Sequence, residues 1–502
     1  MPLILDRFDA YCEAAERARL QAFRGRSPAS ELLAEVDSRF EDLSSGDCLG
    51  QLEAAVHTAT LTAQIESNRR QHRALESSVL EARARALPAC AELQERSIRS
   101  PVAIPAELER PLGVHDAAQQ GDWRASLAGE PLQELRSRTQ AALDRSVGEH
   151  NELREELFAR RGDLRCGLGF ESGRARAEAL RPQIAHDAWE LRCRTLLDAC
   201  EGSWIDGLRA ACVRMGVREE PTQADLPWVL QTRDLDALLP ARRMLDCMDF
   251  ALRGMRLQLN DLQGVAVEHV AGADADARCF AIRPTFDVVL VARGNGGVEG
   301  VRSFFAAGAR ALLWHFASES LAVDQTRAID PALPMAWSLL FEDLIADPLW
   351  AEESPAQLRV DEFVHRVRLR RLLEVRSVAG QVIHEVGLAA LPGGADPHAL
   401  ASAWAEQRRW VTGCSQSASG YLLRADAELG SVDAMRARCL AAALAVHLRE
   451  RFGSRFWKEP GAGSLLRELW NTGGTYSAEE LSAALGLGEL QIDLLLVDAA
   501  KL

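Results

Sequence analysis

Residues 279–317 read CFAIRPTFDVVLVARGNGGVEGVRSFFAAGARALLWHFA. β-Branched and aromatic residues concentrate in Cys279–Arg283 and again in Asp287–Arg293, which favours two short strands. The glycine-rich run 294–297 then ends the second strand. Beyond it, apolar residues recur every three or four positions as far as Ala317, which is the spacing of a helix packed on one face. The stretch therefore predicts two strands followed by a helix.

The remaining sequence is dominated by helical patterns. One further strand is indicated at Val265–Val270, and long segments such as Leu52–Glu95 carry apolar residues at helical spacing. We therefore expect a mainly α-helical fold with a small β-sheet at about 265–293. We expect two regions, a set of long N-terminal helices over 1–165 and a helical body that contains the sheet over 166–502.

Composition excludes several classes of protein. The 502 residues carry a formal net charge of −15, which disfavours binding to the phosphates of a nucleic acid. The sequence has no apolar stretch of the length that spans a bilayer, and its first residues lack the basic and apolar regions of a signal peptide. Eleven cysteines without a C-x-x-C pair fit a reducing compartment. We expect a cytoplasmic protein that binds neither nucleic acid nor membrane.

The order of these features resembles the thimet oligopeptidase and oligoendopeptidase F-like family of zinc peptidases. The two strands, the glycine turn and the helix Phe304–Ala317 are similar to the core of that family. Phe341-Glu342-Asp343-Leu344 resembles the helix after its active site, and Arg449–Trp457 resembles part of its C-terminal helices. The resemblance covers residues 175–500 best, and it implies a zincin-like helical peptidase fold with the sheet beside the former active-site helix.

That resemblance implies a zinc site that this sequence does not contain. The family motif H-E-x-x-H places two histidine ligands on one helix face, and its glutamate acts as base on a metal-bound water. The corresponding pentad here is Ala306-Ala307-Gly308-Ala309-Arg310, and Met335 stands where the resemblance implies a third ligand, a glutamate. The former site is therefore degenerate at Ala306, Ala307, Arg310 and Met335. We expect no metal, no other cofactor and no catalytic residue.

Four side chains are candidates for binding a ligand in the former cleft: Arg310, His315, Tyr421 and Arg436. The resemblance implies a tyrosine in the C-terminal helices that binds the oxyanion, but the matching stretch 429–436 contains none. Of the three tyrosines in the chain, Tyr421 is the one that the resemblance places near the groove. His315 lies beyond the lost site, where it is either a core residue or part of the cleft.

Arg310 has two interpretations. It restores one positive charge where a metal ion would have stood, and it could bind a carboxylate or carbonyl of a peptide. Alternatively, it pairs with an internal acid such as Glu319 or Glu342.

Other motifs carry less information. His384-Glu385-Val386-Gly387-Leu388 begins like a zinc motif but lacks the second histidine, so we interpret it as part of an ordinary helix. The glycine run 294–297 lacks the lysine and the hydroxyl residue of a phosphate-binding loop. Cys414 has no histidine nearby that could activate it as a nucleophile.

These observations predict a catalytically inactive peptidase-like protein, a pseudopeptidase, that binds a peptide or a protein. Its partner would be a peptide, an active peptidase relative or a second copy of the chain. Two alternatives remain open. The chain could be a metallopeptidase whose metal site has been rebuilt from scattered histidines such as His269, His315 and His384, or it could be a purely structural subunit.

Overall fold

The computed structural model describes most of the chain outside a long N-terminal gap. The described residues are 2–25, 29–40, 43, 127–149, most of 151–159, 170–181, 183–217, 220–270, 276–294, 296–355, 360–391, 396–423, 425 and 429–499. The helix predicted at Leu52–Glu95 and the region boundary predicted at 165/166 both lie outside the described residues.

Helices form most of the described structure. The α-helices are α1 (Pro2–Phe23), α2 (Ala29–Arg39), α3 (Gln133–Glu149), α4 (Gly173–Leu180), α5 (His186–Ala199), α6 (Glu201–Arg214), α7 (Leu226–Val229), α8 (Arg233–Asp236), α9 (Ala241–Arg253), α10 (Gly297–Phe316), α11 (Val323–Arg327), α12 (Ala332–Glu342), α13 (Pro348–Glu353), α14 (Val360–Ala390), α15 (Pro397–Thr412), α16 (Gly430–Phe452), α17 (Pro460–Asn471), α18 (Ala478–Ala484) and α19 (Leu496–Ala499). Short 3₁₀ helices occur at Gln223–Asp225, Leu259–Asp261, Asp343–Ala346, Ala418–Gly420, Phe456–Lys458 and Ile492–Leu495. The expectation of a mainly helical protein is confirmed.

The chain forms two compact units. Unit 1 consists of Met1–His72, Thr232–His365 and Arg436–Leu494, and unit 2 consists of Arg73–Gln231, Arg366–Met435 and Leu495–Leu502. Each unit therefore combines segments that are far apart in the sequence. Within the described part of the chain, no helix has both the length and the hydropathy needed to cross a membrane.

Unit 1 contains the small sheet that the sequence predicted. Its strands are β1 (Val265–Val270), β2 (Asp276–Arg283) and β3 (Asp287–Arg293). The order is β1-β3-β2, with β3 parallel to β1 and antiparallel to β2. The predicted second strand began at Cys279, whereas β2 begins three residues earlier. The reason is that Asp276 and Ala277 pair with Arg293 and Ala292 of β3.

Both faces of this sheet are covered by helices, which explains why β3 is apolar almost throughout. On one face, Leu20 and Phe23 of α1 pack with Phe280, Ile282, Val289 and Val291. Helix α10 packs against β2 and β3. Ser303 of α10 fixes that contact, because its hydroxyl accepts from the Ala277 backbone N–H at 2.7 Å.

The described part of unit 2 is helical and contains a buried arginine, Arg376. The Arg376 guanidinium donates to the carbonyl oxygens of Val411, Leu197 and Trp410 at 2.8, 2.9 and 2.7 Å. These carbonyls lie near the C-terminal ends of α5 and α15. A helix C-terminus carries partial negative charge, so two helix ends stabilise this buried cation and are joined through it.

Candidate functional site

Residues 306–310, which the sequence resemblance aligns with the zinc motif, lie where α10 packs against α12 in unit 1. The Arg310 Nε–H donates to Ser338 Oγ at 2.9 Å. That hydroxyl lies 3.0 Å from the carbonyl oxygen of Ala306 and 2.9 Å from that of Pro334, to which it donates. Residues 306 and 310 therefore share one face of α10, as the helical repeat requires, and Ser338 of α12 lies opposite that face.

Arg310 is exposed. Among the residues that the structure describes, none forms an ion pair with it. Glu342, one of the two acids proposed from the sequence, instead accepts from Arg302. The interpretation in which Arg310 pairs internally with Glu342 or Glu319 is therefore wrong, since neither acid forms an ion pair with Arg310 among the described residues.

The other two substituted positions contribute no polar group. Ala307 is buried in α10, and Met335 is half-buried on α12, about one turn before Ser338. Zinc is held by histidine nitrogen, cysteine thiolate or carboxylate oxygen, whereas these positions offer methyl groups, a thioether and a guanidinium cation. The donor set at the former site does not fit zinc. Across the described residues, His, Cys, Asp and Glu form no group of three that could hold a metal ion.

His315 is placed differently from Arg310. Five residues along a helix correspond to a rotation of about 140°, so the two side chains leave α10 in different directions. The Nδ1 atom of His315 is buried and has no hydrogen-bond partner among the described residues, and its ring packs edge-on against Phe316. Burial lowers the pKa of His315, which favours the neutral ring. The structure thus does not bring His315 and Arg310 together.

Arg436 is committed to a buried ion-pair network within unit 1. Its guanidinium donates to both carboxylate oxygens of Asp330 at 3.0 and 2.7 Å, and its Nε donates to Glu479 at 2.8 Å. The side chain is 1% exposed. These contacts account for Arg436 by packing alone and leave it no surface for a ligand.

Tyr421 lies in unit 2, buried, with its hydroxyl donating to Glu155 at 2.5 Å. Burial and the adjacent Glu155 carboxylate both raise the pKa of Tyr421. Its carbonyl oxygen lies 2.7 Å from Nε2 of His384. The phenol hydroxyl of Tyr421 is therefore engaged in a hydrogen bond within unit 2.

The motif that begins at His384 is structural, as the sequence indicated. Glu385 accepts from Gln381 at 2.9 Å and from the Ser431 hydroxyl, so both of its oxygens are engaged. Cys414 is likewise fully buried, and burial raises the pKa of its thiol to about 12. A thiol that stays protonated is a poor nucleophile.

The glycine run before α10 serves the backbone rather than a phosphate. Gly296 and Gly297 have φ values of +93° and +81°, which side chains rarely adopt. A Cβ on Gly297 would lie 2.7 Å from Oδ1 of Asp236. That carboxylate accepts from the Val298 N–H at 2.9 Å, so an acid of α8 already occupies the N-terminus of α10.

Ser338 was not predicted from the sequence as part of the site. It is the residue of α12 that contacts Arg310, and it lies one turn beyond Met335, the residue that the resemblance selected. One signal was present: Ser338 is a polar residue inside the otherwise apolar run Ala332–Phe341. A buried hydroxyl needs a partner, but only the packing of the two helices identifies Arg310 as that partner.

Comparison with known proteins identifies the fold. No protein-family profile matches the sequence, and no curated protein matches it either. The fold is similar to that of PZ peptidase A, with a TM-score of 0.64 at 13% identity, over 100% of this chain and 96% of that one. It is also similar to the M32 carboxypeptidase of Deinococcus radiodurans R1 (TM-score 0.59, 12% identity, covering 100% and 98%). An oligoendopeptidase F-like protein from Bacillus anthracis str. Ames gives 0.55 at 12% identity, covering 98% and 95%. The resemblance drawn from the sequence is thus confirmed at the level of fold: the chain folds like the helical, zincin-like peptidases.

Proposed function

We propose that this protein is a pseudopeptidase that binds peptide or protein segments without cleaving them. One observation carries the proposal. The fold is similar to that of peptidases, and the proposal is supported by Arg310, held by Ser338, at a position that the sequence resemblance assigns to a zinc ligand.

The chemistry of the substituted residues supports binding over hydrolysis. A zinc peptidase needs ligands that hold the metal and a base that takes a proton from its water. The base position is Ala307, whose methyl group cannot accept a proton, and it is buried. Arg310 would repel a divalent cation at a ligand position. Neither residue can carry the step that the fold would otherwise support.

The partner that we propose is a peptide or a segment of another protein, including an active peptidase relative or a second copy of the chain. The net charge of −15 argues against a nucleic acid. Two rival functions make different predictions. A metallopeptidase with a rebuilt metal site would cleave peptides, and a structural subunit would not bind them.

The test is affinity selection with the full-length protein. A synthetic library of hexapeptides with free termini is incubated with the protein, and the retained peptides are identified by mass spectrometry. We expect saturable retention of a subset of peptides, all recovered at full length. Truncated products would favour the metallopeptidase, and the absence of any retained peptide would contradict a peptide-binding function and favour the structural subunit.

A further inference from the structure

We propose that the former metal position of α10 is a carboxylate-binding site, with Arg310 as the residue that holds the ligand. This inference rests on the proposed function, since it names the chemical group by which a peptide would be recognised. It means that a site that binds a cation in a zinc peptidase has become a site for an anion in this chain.

The first support is the way Arg310 is anchored. Its Nε is fixed on Ser338 Oγ, and Ser338 is itself held by the carbonyl oxygens of Ala306 and Pro334. This contact uses only the Nε–H group of the guanidinium. The two terminal nitrogens, Nη1 and Nη2, form the fork that binds a carboxylate with two parallel hydrogen bonds. A side chain that is already ordered loses less conformational entropy when a ligand binds.

The second support is a contrast with the buried arginines of unit 1. Arg302, on the same helix as Arg310, contacts Glu299 and Glu342. Arg327 contacts Asp9 and two backbone carbonyls of β2, and Arg436 contacts Asp330 and Glu479. Arg310 is instead exposed, with one hydrogen bond to a neutral hydroxyl and no acid paired to it within the described ranges. It is therefore open to an acid from outside the chain.

The carboxylate could come from a peptide C-terminus or from an aspartate or glutamate side chain, since both present the same two oxygens.

The binding experiment compares three probes that differ only in where the carboxylate is. Each retained hexapeptide is synthesised as a C-terminal acid, as a C-terminal amide, and as an amide with one internal glutamate. Affinities are measured with the full-length wild type and with Arg310→Met, Arg310→Lys and Arg209→Gln. Arg209 is an exposed arginine of unit 2 and serves as the matched control.

We expect wild type to bind a carboxylate probe about tenfold more tightly than the plain amide, as one charge-assisted hydrogen-bond pair implies. Arg310→Met should abolish that preference, Arg310→Lys should reduce it, and Arg209→Gln should keep it. Preference for the acid indicates a chain terminus as the source, and preference for the internal glutamate indicates a side chain. A preference that survives in Arg310→Met would overturn the proposal.

A second measurement does not depend on peptide binding by the rest of the protein. Phenylglyoxal modifies accessible arginines, and chymotryptic mass mapping gives the rate at each position. We expect N-acetylalanine, but not N-acetylalanine amide, to slow the modification of Arg310 in a saturable manner and to leave Arg209 unchanged. Equal rates with both compounds would contradict a carboxylate site.

The two measurements separate the failure of each proposal. If no hexapeptide is retained but N-acetylalanine protects Arg310, peptide binding fails and the carboxylate site stands. If hexapeptides bind without any acid preference and Arg310 is not protected, the pseudopeptidase function stands and the carboxylate site fails.

Discussion

At the scale of single residues, the site depends on the pairing of Arg310 with Ser338. An exposed arginine normally samples many rotamers, and fixing it costs on the order of 2 kcal/mol of side-chain entropy. The hydrogen bond to Ser338 Oγ offsets part of that cost before any ligand arrives. In the proposed site Ser338 is therefore a positioning residue, since it contacts Arg310.

Removing the Ser338 hydroxyl should separate the effect of the position of Arg310 from the effect of its charge. In Ser338→Ala, Arg310 keeps its charge but loses its anchor, so we expect the acid-over-amide preference to fall about threefold, less than in Arg310→Met. Ser338→Thr retains a hydroxyl and should restore most of the preference. Affinity for the amide probe should stay constant in both variants. A drop of equal size for acid and amide would indicate general damage to the site instead.

For single residues, local helix geometry could be predicted from the sequence, but the partner of Arg310 could not. The helical repeat placed 306 and 310 on one face correctly, because that repeat depends only on local geometry. Whether Arg310 pairs with an acid at all could not be derived from the sequence, since several carboxylates lie within reach along the chain. In the structure, Glu342 forms an ion pair with Arg302, and Arg310 donates a hydrogen bond to the neutral hydroxyl of Ser338.

At the scale of elements, Asp330 joins three helices of unit 1. Its carboxylate accepts from the N–H of Ala332, in the first turn of α12, and from the N–H of Ala478, in the first turn of α18, both at 3.0 Å. It also pairs with Arg436 of α16. Burial would raise the pKa of Asp330, but the charge and hydrogen bonds of Arg436 outweigh it, and the pKa is lowered.

Neutralising this carboxylate should be costly. Asp330→Asn leaves Arg436 buried with one acid fewer and removes the negative charge that accepts from the first N–H groups of α12 and α18, so we expect a loss of about 3 kcal/mol in the free energy of unfolding. Glu479→Gln is the matched control, because Glu479 is 37% exposed and its pair is partly screened by water. We expect its loss to stay below about 1 kcal/mol. Urea unfolding followed by circular dichroism measures both, and equal losses would contradict this ranking.

The glycine turn before α10 allows a second prediction about the stability of single elements. Gly297→Ala would force a Cβ against the Asp236 carboxylate at a φ of +81°, so we expect a loss of about 2 kcal/mol or more. Gly387→Ala is the control, since Gly387 lies exposed inside α14 with open space around it. That change should be neutral or raise stability by up to about 1 kcal/mol. Similar thermal melting of Gly297→Ala and wild type would show that the turn tolerates a side chain.

Elements were predicted more accurately than their arrangement. The bounds of β1 and β3 match the sequence expectation, because β-branched runs between turns are a local signal. The central position of β3 was not predicted, since it requires β1 to pair in parallel past an intervening strand. The same limit explains Tyr421, whose hydrogen bond to Glu155 joins residues 266 positions apart.

At the scale of the whole molecule, stability should depend on pH through buried histidines. Burial lowers the pKa of His384 to about 4, although the Tyr421 carbonyl partly opposes this and Arg408 adds to it. His186 is 1% exposed, and burial lowers its pKa as well. Both rings are therefore neutral in the folded protein when the pH is near neutral.

The direction in which stability changes with pH follows from which state of the protein, folded or unfolded, binds the proton. Between pH 6.5 and about 4 the unfolded chain protonates His384 while the folded chain does not, so stability should fall as the pH falls through that window. The loss attributable to His384 is on the order of 3 kcal/mol. His384→Gln should lower stability at pH 7.5, because the ring leaves its contact with Trp404, but should give a shallower decline toward pH 4. An unchanged slope in urea unfolding across this range would contradict the assignment.

The chain folds like the helical, zincin-like peptidases, and the sequence resemblance predicts Ala307 at the position of their base and Arg310 at that of a zinc ligand. The central claim is that this protein does not hydrolyse peptides through a zinc site. The most direct test is elemental analysis of full-length protein purified without chelator, alongside an assay with quenched fluorescent peptide substrates. We expect zinc far below one ion per chain and no cleavage above the rate in buffer. One zinc ion per chain, together with cleavage that a chelator abolishes and added zinc restores, would contradict the claim.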